Sequence, residues 1–259
     1  MPFTPPHEAY PSCLLAQKLN NRAVRCIESA EYEEAVSHLV KALRISEESS
    51  AESYHSSDDD VDTKTCPCVY CSLDYCMTYS QQLARQSETN PVDDYDEFGG
   101  YVYSQPIRIS PQTMDEGHSM RGVLPLILTF NMALAHHLHA LQCRSSGVLE
   151  RSKLQRVLRL YELAYRWQIE EEDSQVESLL FTMAIANNLA EIHRTVSDRE
   201  KHQKCLQHLL STLMFIVDCN QEGGGGCPPH GGGNNTMDME GFFLNTSELI
   251  LHNRCAGAA

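Results

Sequence analysis

Four times in this chain an asparagine stands two residues before a small one inside an apolar-periodic stretch: Asn21 before Ala23, Asn131 before Ala133, Asn188 before Ala190 and Asn245 before Ser247. Asn131, Asn188 and Asn245 are evenly spaced. A short pattern that returns at one interval, always mid-helix, points to stacked units rather than to one irregular bundle. The stretch 178–218 shows what a unit holds. Leu179, Leu180, Met183, Ala186, Leu189 and Ala190 recur at helical spacing, with a second apolar line through Ile185, Ile192 and Val196, so this helix needs neighbours on two sides. A polar turn at Ser197, Asp198 and Arg199 leads into a second helix carrying Cys205, Leu206, Leu209, Leu210, Leu213 and Ile216. The pair is an antiparallel hairpin.

Two further hairpins are predicted. In the first, Ser12 caps a helix to about Ser29, and Glu33 to about Glu48 returns after a tight turn. The second runs from about Val123 to Cys143, with Pro125 in the first turn where its missing N–H does no harm, and from Leu149 to Gln168. A helix from about Met239 to His252 has no following partner and reads as a terminal cap, after a flexible Gly-rich loop at 223–235. The organisation is thus a first hairpin in 1–48, an insert in 49–119, and the second and third hairpins, loop and cap in 120–259, with 1–48 and 120–259 forming one repeat domain.

The insert carries most of the net charge of −15, its acids facing only Lys64 and Arg85 between residues 46 and 100. Acidity concentrated in a Ser-rich stretch argues for disorder and solvation before any steering of ligands. A weak helix is expected from Cys71 to Arg85. The segment Tyr101 to Ile109 differs: it is extended by composition, Pro106 argues against an interior strand, and it is expected to lie ordered on the helical body, as an internal ligand of a groove or as an anchored loop. The rest of the chain is near neutral and has no basic stripe interleaved with aromatics, so no nucleic acid is expected as a partner. No apolar run of membrane-spanning length and no signal-peptide core are read, and the eleven cysteines show no disulfide framework. A cytoplasmic or nuclear location is the expectation.

In residues 16–45, Asn21, Ala23, Tyr32, Ala35, Leu39, Ala42 and Leu43 resemble the tetratricopeptide repeat (TPR) pattern, although Glu47 stands where the family closes with proline. The resemblance implies an all-α fold, a TPR-like right-handed superhelix of three antiparallel helix pairs plus a capping helix. It also implies a concave groove for an extended peptide of a partner protein, with Asn21, Asn131, Asn188 and Asn245 facing it. A carboxamide can pair with a peptide N–H and C=O together. Each net hydrogen bond contributes roughly 0.5–1.5 kcal/mol, so apolar pockets must supply most of the ~8 kcal/mol of a micromolar complex. Alternatively the asparagines only brace the array. The family's carboxylate-binding version needs cations where Gln17, Ile127, Ala184 and Gly241 stand, so a free C-terminus is not the expected ligand.

Other constellations point elsewhere. Cys66, Cys68, Cys71 and Cys76 could offer four thiolates to zinc, but their spacing is not that of two separated pairs. His230 before three glycines looks like an esterase oxyanion loop, yet no nucleophile elbow accompanies it, and the glycine run lacks a phosphate loop's Lys and Ser/Thr. His136 and His139 could share a metal on one helix, although His136 occupies a position that packing explains as well. Ser56 and Ser57 precede an acidic run suited to acid-directed phosphorylation. The reading is a non-enzymatic, cofactor-free protein-binding scaffold. The alternatives are a metal protein or enzyme built on the cysteine cluster, and an adaptor acting through its outer surface.

Overall fold

The computed structural model describes residues 11–53, 77–79, 100–115, 117, 120, 123–145, 151–170, 178–221 and 239–256. Among them are eight helices: α1 (Pro11–Glu28), α2 (Tyr32–Ser53), α3 (Pro111–Asp115), α4 (Leu124–Ser145), α5 (Arg151–Glu170), α6 (Leu179–Thr195), α7 (Arg199–Gln221) and α8 (Met239–Ala256). The fold is all-α, with sequential helices packed as pairs: α1 on α2, α5 on α6, α6 on α7 and α7 on α8. Chain contacts divide it into two compact units.

The first unit takes residues 1–80 and 106–139. Pro11 opens α1 as its first residue, a position where proline's fixed φ suits a helix, so Ser12 lies inside the helix and does not cap it as expected. Small residues at Ala16, Ala23, Ala35 and Ala42 let α1 and α2 approach closely around Leu39 and Ile27, all buried. This unit also holds a two-stranded antiparallel ribbon, β1 (Met77–Tyr79) with β2 (Ile107–Ile109), in which Thr78 faces Arg108. β1 falls within the span expected to be a weak helix; its short β-prone run gains a ladder partner that local propensity does not foresee. Pro106 stands immediately before β2, where its missing donor disturbs no ladder bond.

The second unit takes residues 81–105 and 140–259. Its core is Tyr161 and Ala164 of α5, Phe181, Ala186 and Ala190 of α6, Leu206, Leu209 and Leu213 of α7, and Phe242 of α8. Ser178 caps α6, its Oγ accepting from Phe181 N–H. The expected terminal helix is present as α8, and it packs on α6 as well as α7.

Both tight hairpins close with the same bond pattern. After α1, Glu31 N–H donates to Cys26 C=O (2.8 Å) and Ala30 N–H to Ile27 C=O (3.0 Å); after α6, Asp198 N–H donates to His193 C=O (2.9 Å) and Ser197 N–H to Arg194 C=O (3.1 Å). This is the Schellman arrangement, which places one residue in the left-handed region. Here Ala30 (φ 59°) and Ser197 (φ 64°) take that place.

One helix departs from the reading of the sequence. Leu124–Cys143 of α4 is long and apolar enough to cross a membrane, with a mean hydropathy of 1.2, but 72% of that window is buried inside the protein. A helix apolar all round and covered by protein is a core helix.

Candidate functional site

Asparagine is a poor residue for a helix interior, and a buried carboxamide is tolerated only when its donors and acceptors are met. Asn20, Asn131, Asn187 and Asn188 are nevertheless buried mid-helix. Their partners are main-chain groups of the segment 100–109.

In the first unit, Asn21 Oδ1 accepts from Ile109 N–H (2.8 Å) while its Nδ2 donates to Ile109 C=O (2.8 Å). Asn131 treats Ile107 in the same way, Oδ1 accepting from N–H and Nδ2 donating to C=O, both at 2.8 Å. Asn20 joins them: its Nδ2 donates to Ile107 C=O (3.0 Å), and its Oδ1 accepts from Asn131 Nδ2 (2.9 Å). Alternate residues of a strand direct their polar groups to opposite edges. One edge of β2 therefore meets β1 through Arg108, and the other meets carboxamides through Ile107 and Ile109. Both isoleucine side chains are buried, and Arg108 Nη2 donates to both carboxylate oxygens of Glu28 (3.0 and 2.9 Å).

The second unit repeats the device atom for atom. Asn188 holds Tyr103 through N–H to Oδ1 and Nδ2 to C=O, both 2.9 Å. Asn245 holds Tyr101, Oδ1 accepting from N–H (2.8 Å) and Nδ2 donating to C=O (2.7 Å). Asn187 stands where Asn20 does, its Nδ2 on Tyr101 C=O (2.9 Å) and its Oδ1 accepting from Asn245 Nδ2 (2.6 Å). Asn188 Nδ2 also donates to Tyr161 OH (3.0 Å), a phenol whose ionisation burial pushes far up. Glu191, itself buried, accepts from Gly100 N–H (3.2 Å) and is held by Arg194 Nη2 (2.7 Å) and Nε (3.0 Å).

All four asparagines singled out in the sequence thus bind the backbone of residues 101, 103, 107 and 109, each with two hydrogen bonds. Asn20, Asn187 and Glu191 are not among the four; the repeated Asn-Asn pair at 20–21 and 187–188 is the signal that could have found two of them. Of the positions one helical turn before the four asparagines, Gln17, Ile127, Ala184 and Gly241 are buried. Gly241 lies under the ring of Tyr101, since a Cβ there would come within 2.5 Å of three ring carbons.

Two histidines of α4 are taken up in packing. His139 stacks on Tyr32 (ring centroids 5.9 Å apart, 27° between planes), and His137 is buried, which depresses its pKa to about 4. Burial likewise lowers His193, although Asp198, with Oδ2 4.0 Å from its Nδ1, opposes the shift. Tyr165 OH and His208 Nδ1 lie 2.8 Å apart. Among the described residues, one group of three could hold a metal ion: Cys26, Glu34 and His38, whose ligand atoms lie within 4.8 Å of one another. Burial and the charges of Glu34 and Glu31 raise the Cys26 thiol, so a cation would have to displace its proton. The cysteines 66, 68, 71 and 76, the serines 56 and 57, and the stretch from 223 to 235 lie outside the described residues.

Comparison of the chain with protein-family models, curated proteins and solved structures finds no match.

Proposed function

We propose that this protein is a non-enzymatic interaction scaffold, a TPR-like helical array that holds extended peptide segments of a protein partner in helical grooves, on Asn21 and Asn131 in the first unit and on Asn188 and Asn245 in the second. The observation that carries this reading is the form of the four contacts. Each carboxamide meets the N–H and the C=O of one residue, which fixes a strand's position without reading its side chains. The chain's own residues 101–109 occupy these contacts, so a partner segment enters by replacing its own strand. The cysteines of the described residues, Cys13, Cys26, Cys143 and Cys205, form no disulfide, which suits a reducing compartment such as cytoplasm or nucleus.

A synthetic peptide of residues 100–110 tests the reading without altering the protein. Proteins captured from native lysate by the wild-type chain are expected to be eluted by excess peptide and retained against a scrambled one. Asn245→Ala should weaken the same capture. Capture indifferent to both would shift the function to the outer surface, where Met214 and Phe215 of α7 stand 57% and 52% exposed.

A further inference from the structure

The second unit adds side-chain selectivity to its backbone contacts. Tyr101 meets Phe242 edge-on (centroids 5.6 Å, 87°), and Tyr103 stacks on the same ring (5.6 Å, 16°). One phenylalanine therefore serves two aromatic side chains two residues apart, the spacing at which side chains of an extended segment share a face. Gly241 leaves room for the first ring, and a Cβ at that position would run into it. The residue before the first aromatic is constrained as well. Gly100 gives its N–H to Glu191, and a Cβ on it would collide with the Glu191 carboxylate and come within 2.8 Å of Asn245 Oδ1.

We infer that the second unit recognises, in a partner, an extended segment of the form glycine, aromatic, any residue, aromatic, with the chain's own Gly100 to Tyr103 as built-in competitor. The inference rests on the scaffold reading and names its ligand class. Val102 stands at the unrestricted position because the contacts to Asn245, Asn188 and Phe242 are made by its neighbours on either side. The aromatic rings bring apolar surface that backbone hydrogen bonds alone do not, and the glycine requirement excludes strands that the asparagines by themselves would accept. A competitor in the same chain reduces the apparent affinity for any outside strand by the fraction of time the site is open.

The test uses the full-length chain carrying Tyr101→Ala, which keeps its own backbone contacts while removing one ring from the competitor, and a fluorescent peptide of residues 100–110. Circular dichroism and a thermal melt first establish that the variant is folded. Anisotropy should show binding that is tighter to this variant than to wild type. Affinity should fall about tenfold or more, the equivalent of one good contact, when the peptide carries Gly100→Ala, Tyr101→Ala or Tyr103→Ala. A second chain, Gly241→Ala, fills the space under the first ring and should reverse the preference, taking the Tyr101→Ala peptide better than the parent. Equal binding of all peptides overturns the side-chain rule and leaves the backbone reading standing. No binding of any peptide to either folded variant overturns the inference, and elution of a partner by peptide from wild type then decides the scaffold reading separately.

Discussion

The two units hold their parts of the same segment with the same three-asparagine device, yet differ in the side chains around it. Asn20, Asn21 and Asn131 bind Ile107 and Ile109; Asn187, Asn188 and Asn245 bind Tyr101 and Tyr103. Around the first set are aliphatic side chains, a strand partner on the far edge and Ile127 one helical turn before Asn131. Around the second are Phe242, two tyrosines and Gly241 in the corresponding place. What is repeated is the recognition of main chain, whose chemistry is the same at every residue. What diverges is the side-chain environment, which sets what each unit accepts.

The largest expected effect comes from removing a carboxamide, and the size should rank by how many buried groups lose their partner. Asn188→Ala removes the bonds to Tyr103 N–H, Tyr103 C=O and Tyr161 OH at once; at about 1–3 kcal/mol for each of the two backbone groups, the loss is roughly 2–6 kcal/mol. Asn131→Ala should do less harm, because Ile107 C=O keeps Asn20. Asn245→Ala should do least, since Tyr101 C=O keeps Asn187 and the site is only half-buried. Denaturant unfolding of the three variants measures the order. Equal losses would mean that the devices are not equivalent copies graded by backup bonds.

Acid should separate the units next. His137 of the first unit is buried neutral with its pKa lowered to about 4 from an ordinary 6.5. The unfolded chain therefore takes up this proton near pH 6.5 and the folded chain only near 4, so stability falls as pH drops through that window and the loss levels off below it. The full shift corresponds to about 3 kcal/mol. In the second unit burial lowers His193 too, but Asp198 works against it. Hydrogen exchange followed from pH 7 to 4.5 should show Ile107 and Ile109 losing protection before Tyr101 and Tyr103, and His137→Gln should narrow that difference.

Much of this architecture is legible in the sequence. Helix positions followed from apolar spacing, because a helix that buries one or two faces must show its period. The four asparagines stood out because a polar residue repeated within apolar helices requires a partner. The ribbon was not legible: β1 depends on pairing with residues about thirty positions further on in the chain, and a three-residue strand has no local signature. Nor was the role of Glu191 or Gly241, since a buried carboxylate and a helical glycine declare their purpose only through Gly100 and Tyr101, which lie far away in sequence. The evenly spaced asparagines also suggested a simple succession of repeats. The structure groups them differently, pairing an Asn-Asn helix with the lone asparagine of a later helix in each unit.

The smallest expected effect concerns the turns, where the units agree most closely. Ala30 and Ser197 occupy the left-handed region at φ 59° and 64°, which costs an L-residue roughly 1–2 kcal/mol and glycine little. Glycine loses more freedom on folding, by about 0.5–1 kcal/mol, so Ala30→Gly should stabilise by about 0.5–1 kcal/mol and raise Tm by a few degrees. Ser197→Gly should act in the same direction. Because both turns close with the same pair of backbone bonds, the two gains should be similar and additive, as expected for distant sites. Gains of opposite sign would show that one turn relies on its side chain and that the likeness of the hairpins stops at the backbone.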